Sequence, residues 1–273
     1  MELAGTEEAD KMPRKEGKVR IGALADLHFT KAAETPIRDL LSQASRDCDV
    51  LLICGDLTDH GLPEEAQGLA REIHSAVGVP VITVLGNHDF EGGRQGEVKQ
   101  ILVDQGIHVL DGDSHEVEGV GFAGVKGFAG GFGKRALGPW GEDIIKRFVH
   151  EAVDEALKLE SALARLRRVP RIAVVHYAPI EETVAGEPLE IYPFLGSSRL
   201  EEPINRYRCD AVFHGHAHRG RPEGKTSTGI PVYNVSIQLL RQTYKDRPPF
   251  RVFDVSLGGA KDERHEAVPV EPA

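Results

Sequence analysis

The chain of 273 residues has few cysteines and no long apolar run. Its three cysteines, Cys48, Cys54 and Cys209, are widely spaced and form no Cys-x-x-Cys pair. This odd number argues against a disulfide framework and favours a reducing compartment. No apolar stretch is long enough to cross a bilayer, and the first 18 residues lack the apolar core of a signal peptide. We therefore predict a cytoplasmic protein with no membrane partner.

Net positive charge is also missing. The chain has 33 Lys and Arg against 43 Asp and Glu, which gives a formal net charge of −10. This balance argues against a broadly basic nucleic-acid-binding surface, although it leaves room for a local site dominated by metal ions. With 40% hydrophobic and 28% charged residues, the composition is that of an ordinary globular protein. A chain of this length can bury a large core without disulfides.

Short runs rich in valine and isoleucine alternate with helical patterns. Predicted strands span Val19–Ala25, Val50–Ile53, Val79–Leu85, Arg171–Val175, Asp210–Phe213, Ile230–Ser236 and Phe250–Val255, and predicted helices span Thr35–Arg46, Pro63–Val77 and Glu142–Arg168. The β-α-β-α-β order at the start predicts an α/β fold with a parallel or mixed sheet covered by helices. We expect one domain over residues 19–256, with flexible termini at 1–18 and 257–273.

Three segments allow more than one interpretation. Gly119–Gly141 is rich in glycine and aromatic residues, and is either a turn-rich connection packed on the core or a lid over a substrate. The segments Tyr177–Pro179 and Tyr192–Gly196 could form a wall of a cleft. In α/β sheets, ligands bind beyond the carboxyl ends of the strands.

Five short motifs follow predicted strands and carry the chemistry. They are Asp26-Leu27-His28, Gly55-Asp56-Leu57-Thr58-Asp59, Gly86-Asn87-His88-Asp89, His176 and Gly215-His216-Ala217-His218. Side chains two residues apart lie on the same side of a strand, so Asp26 and His28 can face one ion. The two oxygens of Asp56 can bridge two ions. Oxygen and nitrogen donors without a thiolate suit a pair of divalent metals better than a closed structural zinc site.

The complete set, in this order from Asp26 to His218, resembles the calcineurin-like metallophosphoesterase superfamily. That resemblance implies a four-layer α/β/β/α sandwich of two mixed sheets flanked by helices, with a binuclear metal site. It implies two sets of ligands that share one carboxylate: Asp26, His28, Asp56 and His218 for one ion, and Asp56, Asn87, His176 and His216 for the other. His88 resembles the family's histidine that lies beside the scissile phosphate and is not a metal ligand. Asp59 resembles the carboxylate that orients this histidine.

The charge of such a site favours a phosphoester. Two divalent ions against Asp26 and Asp56 leave a charge near +2, and a bridging hydroxide lowers it to about +1. We predict metal-dependent hydrolysis of phosphoester bonds by a phosphodiesterase, with a hydroxide bound by two metal ions attacking phosphorus and His88 assisting the leaving oxygen. Manganese is the metal we expect, with iron and zinc as alternatives.

At some motif positions this chain differs from other branches of the superfamily, and these differences favour some substrate classes over others. Purple acid phosphatases carry a tyrosine where this chain has Asp59, and serine/threonine protein phosphatases carry Arg-Gly where it has His60-Gly61. The closing Gly-His-x-His is similar to that of cyclic-nucleotide phosphodiesterases and DNA nucleases. We expect the substrate to be a phosphodiester of nucleotide or nucleic-acid type. The alternatives are a single-strand DNA or RNA nuclease, a phosphomonoesterase, and a catalytically silent scaffold of the same fold.

Overall fold

Two stacked mixed sheets form the centre of the molecule in a computed structural model that describes residues 17–30, 37–167 and 169–257. The strands within these ranges are β1 (Lys18–Leu24), β2 (Val50–Cys54), β3 (Val81–Val84), β4 (His108–Val109), β5 (Asp113–Val117), β6 (Val120–Val125), β7 (Arg171–Val175), β8 (Ala211–His214), β9 (Glu223–Lys225), β10 (Pro231–Asn234) and β11 (Arg251–Ser256). The first sheet has the order β11-β1-β2-β3-β4, and the second has the order β5-β6-β7-β8-β10-β9.

The described ranges contain seven α-helices, five of which cover the outer faces of the two sheets. The seven helices are α1 (Ile37–Arg46), α2 (Pro63–Ala76), α3 (Gln95–Asp104), α4 (Asp143–Arg165), α5 (Tyr192–Leu195), α6 (Glu201–Arg206) and α7 (Ile237–Thr243). Helices α1, α2 and α3 pack on the first sheet, and α4 and α6 pack on the second. The predicted α/β/β/α sandwich is therefore confirmed. No helix of the described ranges is long and apolar enough to span a bilayer.

Strand β2 shows why the central strands are apolar throughout. Val50, Leu52 and Cys54 face the second sheet, whereas Leu51 and Ile53 face the helices. All five side chains are buried because both faces of the strand are covered. The continuous apolar run in the sequence therefore reflects a position in the middle layers of a sandwich.

The parallel strands bring their carboxyl ends to one edge of the molecule. Strand β2 pairs in parallel with β1 and β3, and β7 pairs in parallel with β6 and β8. An isolated parallel bridge joins Ala25, just after β1, to Ser236, just after β10. The two sheets therefore meet at the edge where the motif-bearing loops emerge.

The glycine-rich segment 119–141 contains a strand that the sequence analysis did not predict. Residues Val120–Val125 form β6, and Phe122 is completely buried between the sheets. A β-carbon on Gly124 would lie 2.8 Å from Val84 of the facing sheet, so glycine permits the close packing. The predicted helix over Glu142–Arg168 is shorter and ends at Arg165. The predicted flexible termini lie outside the described residues, apart from residues 17, 18 and 257.

The contrast between two phenylalanines tests the sandwich core. We expect Phe122→Ala to lower the free energy of unfolding by about 3–5 kcal/mol, because it leaves a cavity between the sheets. Phe194 is 57% exposed, so Phe194→Ala should lower it by less than about 1 kcal/mol. Urea denaturation followed by circular dichroism measures both. Similar losses for the two variants would contradict the burial of Phe122.

Candidate metal centre

Four of the predicted ligands adopt a backbone conformation that side chains rarely take. Asp26, His28, Asp56 and His216 have φ angles of 59°, 44°, 48° and 69°. Each such residue costs about 1–3 kcal/mol unless its surroundings hold it in place. Here the loops after β1 and β2 brace one another: the Asp26 N–H donates to Gly55 O and the His28 N–H donates to Asp56 O, both at 3.0 Å.

Glycines in the motifs let the backbone approach the ligands. A β-carbon on Gly86 would lie 2.1 Å from Asp56 Oδ1, and one on Gly55 would lie 2.4 Å from His176 Nδ1. Neither distance is compatible with a side chain. The Gly-Asp and Gly-Asn pairs therefore reflect crowding around the ligands as well as the freedom of glycine to turn.

Asp89 ties the second motif to the third. Its completely buried carboxylate accepts hydrogen bonds from the N–H groups of Leu57 (3.2 Å), Thr58 (2.8 Å) and Gly86 (2.8 Å), and from the Thr58 hydroxyl (2.6 Å). Burial raises the pKa of Asp89, and these hydrogen bonds oppose that rise. Asp89 therefore positions the loops that carry Asp56 and Asn87.

A first group of potential ligand atoms comes from Asp26, His28 and His218, which lie within 4.8 Å of one another. Asp26 Oδ1 is 3.6 Å from His218 Nε2. The buried Nε2 of His28 has no hydrogen-bond partner among the residues that the structure describes. Buried nitrogen atoms are rarely left unpaired, so this one fits a bound cation.

A second group consists of Asp56, His176 and His216, again within 4.8 Å of one another. The Nδ1–H of His176 donates to Cys54 O at 2.9 Å, which leaves the lone pair on Nε2. That nitrogen lies 2.9 Å from Asn87 Oδ1, which also has a lone pair. Two acceptors at this separation repel one another unless a cation lies between them. These residues therefore fit a metal ion as well.

Asp56 joins the two groups. Its Oδ1 lies 3.4 Å from His176 Nε2 in the second group, and its Oδ2 lies 3.7 Å from His28 Nε2 in the first. One oxygen thus faces each group. The structure brings all seven predicted ligands to one site, and their donor atoms can hold two divalent ions.

The pKa values reflect how closely carboxylates and imidazoles are buried together. Burial by itself would raise the pKa of Asp26, but the hydrogen bond and charge of His218, with His176, hold it below its usual range. Burial and the charge of Asp26 raise the pKa of Asp56 well above its ordinary value. Burial lowers the pKa of His216 to about 4 and that of His176 well below 6.5. Two divalent cations would relieve the repulsion between the carboxylates.

His88 and Asp59 lie beside the first group. The His88 Nδ1–H donates to the backbone carbonyl of Asp59 at 2.7 Å, so Nε2 is its free ring nitrogen. The Asp59 carboxylate is closer to His28 Nδ1 (3.1 Å) than to His88 Nδ1 (3.8 Å). The main chain of Asp59, more than its side chain, therefore orients His88 in this structure.

Aromatic residues and one lysine line the side of the second group. The Tyr177 ring lies 4.4 Å from the His216 ring, and the Phe194 carbonyl accepts a hydrogen bond from His216 Nε2 at 3.1 Å. Both predicted wall segments therefore reach the centre. Lys126 was not among the predicted site residues, although it directly follows β6, and its carbonyl accepts hydrogen bonds from the N–H groups of His176 and Tyr177. Its position after a buried strand is the signal that could have identified it.

Comparison with known proteins agrees with this geometry. The family model described as calcineurin-like phosphoesterase matches residues 19–220, and the chain belongs to this family. The family implies metal-dependent hydrolysis of phosphoester bonds, so the chain is a phosphoesterase of the metal-dependent class.

A solved structure shares the fold at low sequence identity. The phosphopantetheinyl hydrolase PptH from Mycobacterium tuberculosis superimposes with a TM-score of 0.63 at 16% identity, over 87% of this chain and 96% of that protein. The TT1561 protein of Thermus thermophilus gives a TM-score of 0.49 at 15% identity, over 88% of this chain and 99% of that one. Comparison with curated proteins finds no significant sequence match.

Metal addition tests the bridging position of Asp56. Manganese at a hundred times its dissociation constant should stabilise the wild-type chain by about 2.7 kcal/mol, which a rise in unfolding temperature reports. Asp56→Asn should lose most of this rise because the amide supplies one neutral oxygen where two anionic oxygens faced the ions. Asp143→Asn is the matched control, since the Asp143 side chain is 84% exposed on α4. A full manganese response in Asp56→Asn would contradict the bridge.

Proposed function

We propose that this protein is a phosphodiesterase that uses two divalent metal ions. The observation that carries the proposal is the Asp56 carboxylate, which offers one oxygen to each of two ligand groups. His88 lies against the first group, with its ring 4.4 Å from that of His28. This arrangement supports hydrolysis more than a silent scaffold, because a scaffold needs neither the complete set of ligands nor a free imidazole next to it.

The charge of the centre favours a diester over a monoester. Bound at the two groups, divalent ions supply Lewis acidity and activation of water. Four positive charges against the carboxylates of Asp26 and Asp56 would leave about +2, and the hydroxide that attacks phosphorus would lower this to about +1. This charge matches the single negative charge of a phosphodiester, whereas a monoester carries up to two near neutral pH. Manganese is the metal that we propose, since the donors are oxygen and nitrogen atoms.

His88 is placed to supply a proton to the leaving oxygen. Its Nδ1–H is occupied by the Asp59 carbonyl, which fixes the ring and directs Nε2 away from that loop. A protonated Nε2 can donate to an alkoxide as the phosphorus–oxygen bond breaks. We propose a nucleotide-type diester as the substrate, with single-stranded nucleic acid and monoesters as rival substrates of the same centre.

A substrate panel in manganese tests this function. We expect bis-nitrophenyl phosphate to be hydrolysed with a higher kcat/KM than nitrophenyl phosphate, because the diester matches the charge of the centre. The panel includes cyclic nucleotides and single-stranded DNA. Asn87→Ala and His176→Ala should nearly abolish all activity. Faster hydrolysis of the monoester would refute the diesterase, and no hydrolysis by manganese-loaded protein would favour the scaffold.

Leaving-group dependence tests the role of His88. His88→Ala should lower kcat/KM by about 10²–10⁴-fold for diesters with alkoxide leaving groups, which need a proton. The loss should be much smaller for nitrophenolate, which leaves without one. His74→Ala is the matched control, because His74 is exposed near the end of α2, outside the centre. The same loss for every leaving group would remove the proton-donor role from His88.

A further inference from the structure

The side chain of Lys126 lies in a collar of three aromatic rings beside the metal centre. Its Nζ is 5.4 Å from the ring centroid of Phe90, 4.9 Å from that of Phe128 and 5.4 Å from that of Tyr177. Two of these rings belong to the centre. Phe90 follows His88 by two residues, and Tyr177 packs against His216. The Tyr177 ring therefore contacts both the ammonium group of Lys126 and the His216 ring.

The positive charge of Lys126 has no ion-pair partner. Its Nζ donates to the Gly127 carbonyl at 2.7 Å, and no carboxylate of the described residues lies within 4.0 Å. The carboxylate of Glu155 is already engaged by the N–H of Gly127 and by the ammonium of Lys158, each at 2.7 Å. The aromatic faces attract the lysine but do not neutralise it. A partly buried cation with no carboxylate in direct contact is incompletely compensated, and an arriving anion would compensate it further.

The field of this cation reaches the metal centre. Burial lowers the pKa of His176, and the neighbouring His216 ring and, to a smaller extent, Lys126 lower it further, while Asp26 opposes the change. Burial lowers the pKa of Lys126 as well, while the carboxylates of Glu155, Glu151 and Asp111, which are not in contact with it, oppose the change. Phe90 is 38% exposed, so the collar borders solvent at its outer side. Lys126 is itself only partly buried.

We propose that Lys126, with Phe90 and Tyr177, forms a subsite for a second anionic group of the substrate. The proposal rests on the proposed diesterase function and deepens it. The natural substrate is then a phosphodiester whose organic part carries a further phosphate or carboxylate. The rings contact the apolar part next to that group, and the ammonium group provides its counter-ion.

Two pairs of probes, whose members differ mainly in charge, test the subsite. These are the 4-nitrophenyl phosphodiesters of 4-carboxyphenol and of 4-carbamoylphenol, together with their 3-substituted isomers. All have the same leaving group and nearly the same shape. We expect the wild-type protein to hydrolyse a carboxylate probe with a kcat/KM about tenfold to a hundredfold above that of its amide, mainly through KM, because one hydrogen bond to a charged group is gained.

Variants assign this preference to Lys126. Lys126→Met should lose the preference, so that it hydrolyses the carboxylate and amide probes with similar kcat/KM, whereas Lys126→Arg should keep part of the preference. Lys225→Met is the matched control on the exposed strand β9. We also expect Lys126→Met to unfold at the same temperature as the wild type or at a higher one, because an incompletely compensated charge is removed.

The outcomes separate this proposal from the diesterase function. Equal hydrolysis of carboxylate and amide probes by the wild type would overturn the subsite and leave the diesterase intact. No hydrolysis of any probe would overturn both. Equal loss on both kinds of probe in Lys126→Met would place Lys126 at the metal centre itself. A lower unfolding temperature with the preference unchanged would make its role structural.

Discussion

Two buried carboxylates held close together are the constraint around which the site is built. Asp26 and Asp56 are almost completely buried, and their pKa values are shifted in opposite directions: hydrogen bonds and histidines stabilise the charge of Asp26, while that charge works against ionisation of Asp56. The fold maintains this repulsion with left-handed backbone at both residues and with glycines packed against them. Such an arrangement is unfavourable for stability by itself and becomes favourable when cations bind.

The two sheets contribute different donors to this centre. The loops of the first sheet supply the carboxylates, the amide and His28, whereas those of the second supply His176, His216 and His218. Each ligand group draws on both sheets, since Asp26 meets His218 and Asp56 meets His176. Packing of the sandwich is therefore a condition for the site, and bound cations would in turn hold the two sheets together at this edge.

The sequence predicted most apolar central strands for a physical reason, and the side chains that it named as metal ligands lie together at one edge of the sandwich. Strands covered on both faces must be apolar throughout, so runs such as Val50–Cys54 are visible without a structure. The edge strand β9 is short and exposed and gives no such signal. Strand β6 was missed because its glycines, required by close packing, resemble those of a loop. The assignment of Asp59 to His88 came from resemblance, and only the loop geometry shows which atom of Asp59 is nearest.

Lys126, in contrast, was not identified from the sequence, because it does not belong to any of the short motifs. The three aromatic rings around its ammonium group come from separate segments of the chain. Their arrangement depends on how these segments pack at the edge of the sheets, which the sequence does not reveal. A cation kept there without a carboxylate partner adds positive charge on the side of the second ligand group, while Asp59 adds negative charge on the side of the first. The centre is therefore electrically asymmetric. If the protein acts as the proposed diesterase, an anionic substituent drawn to the side of Lys126 would fix the direction in which the diester lies across the two ligand groups.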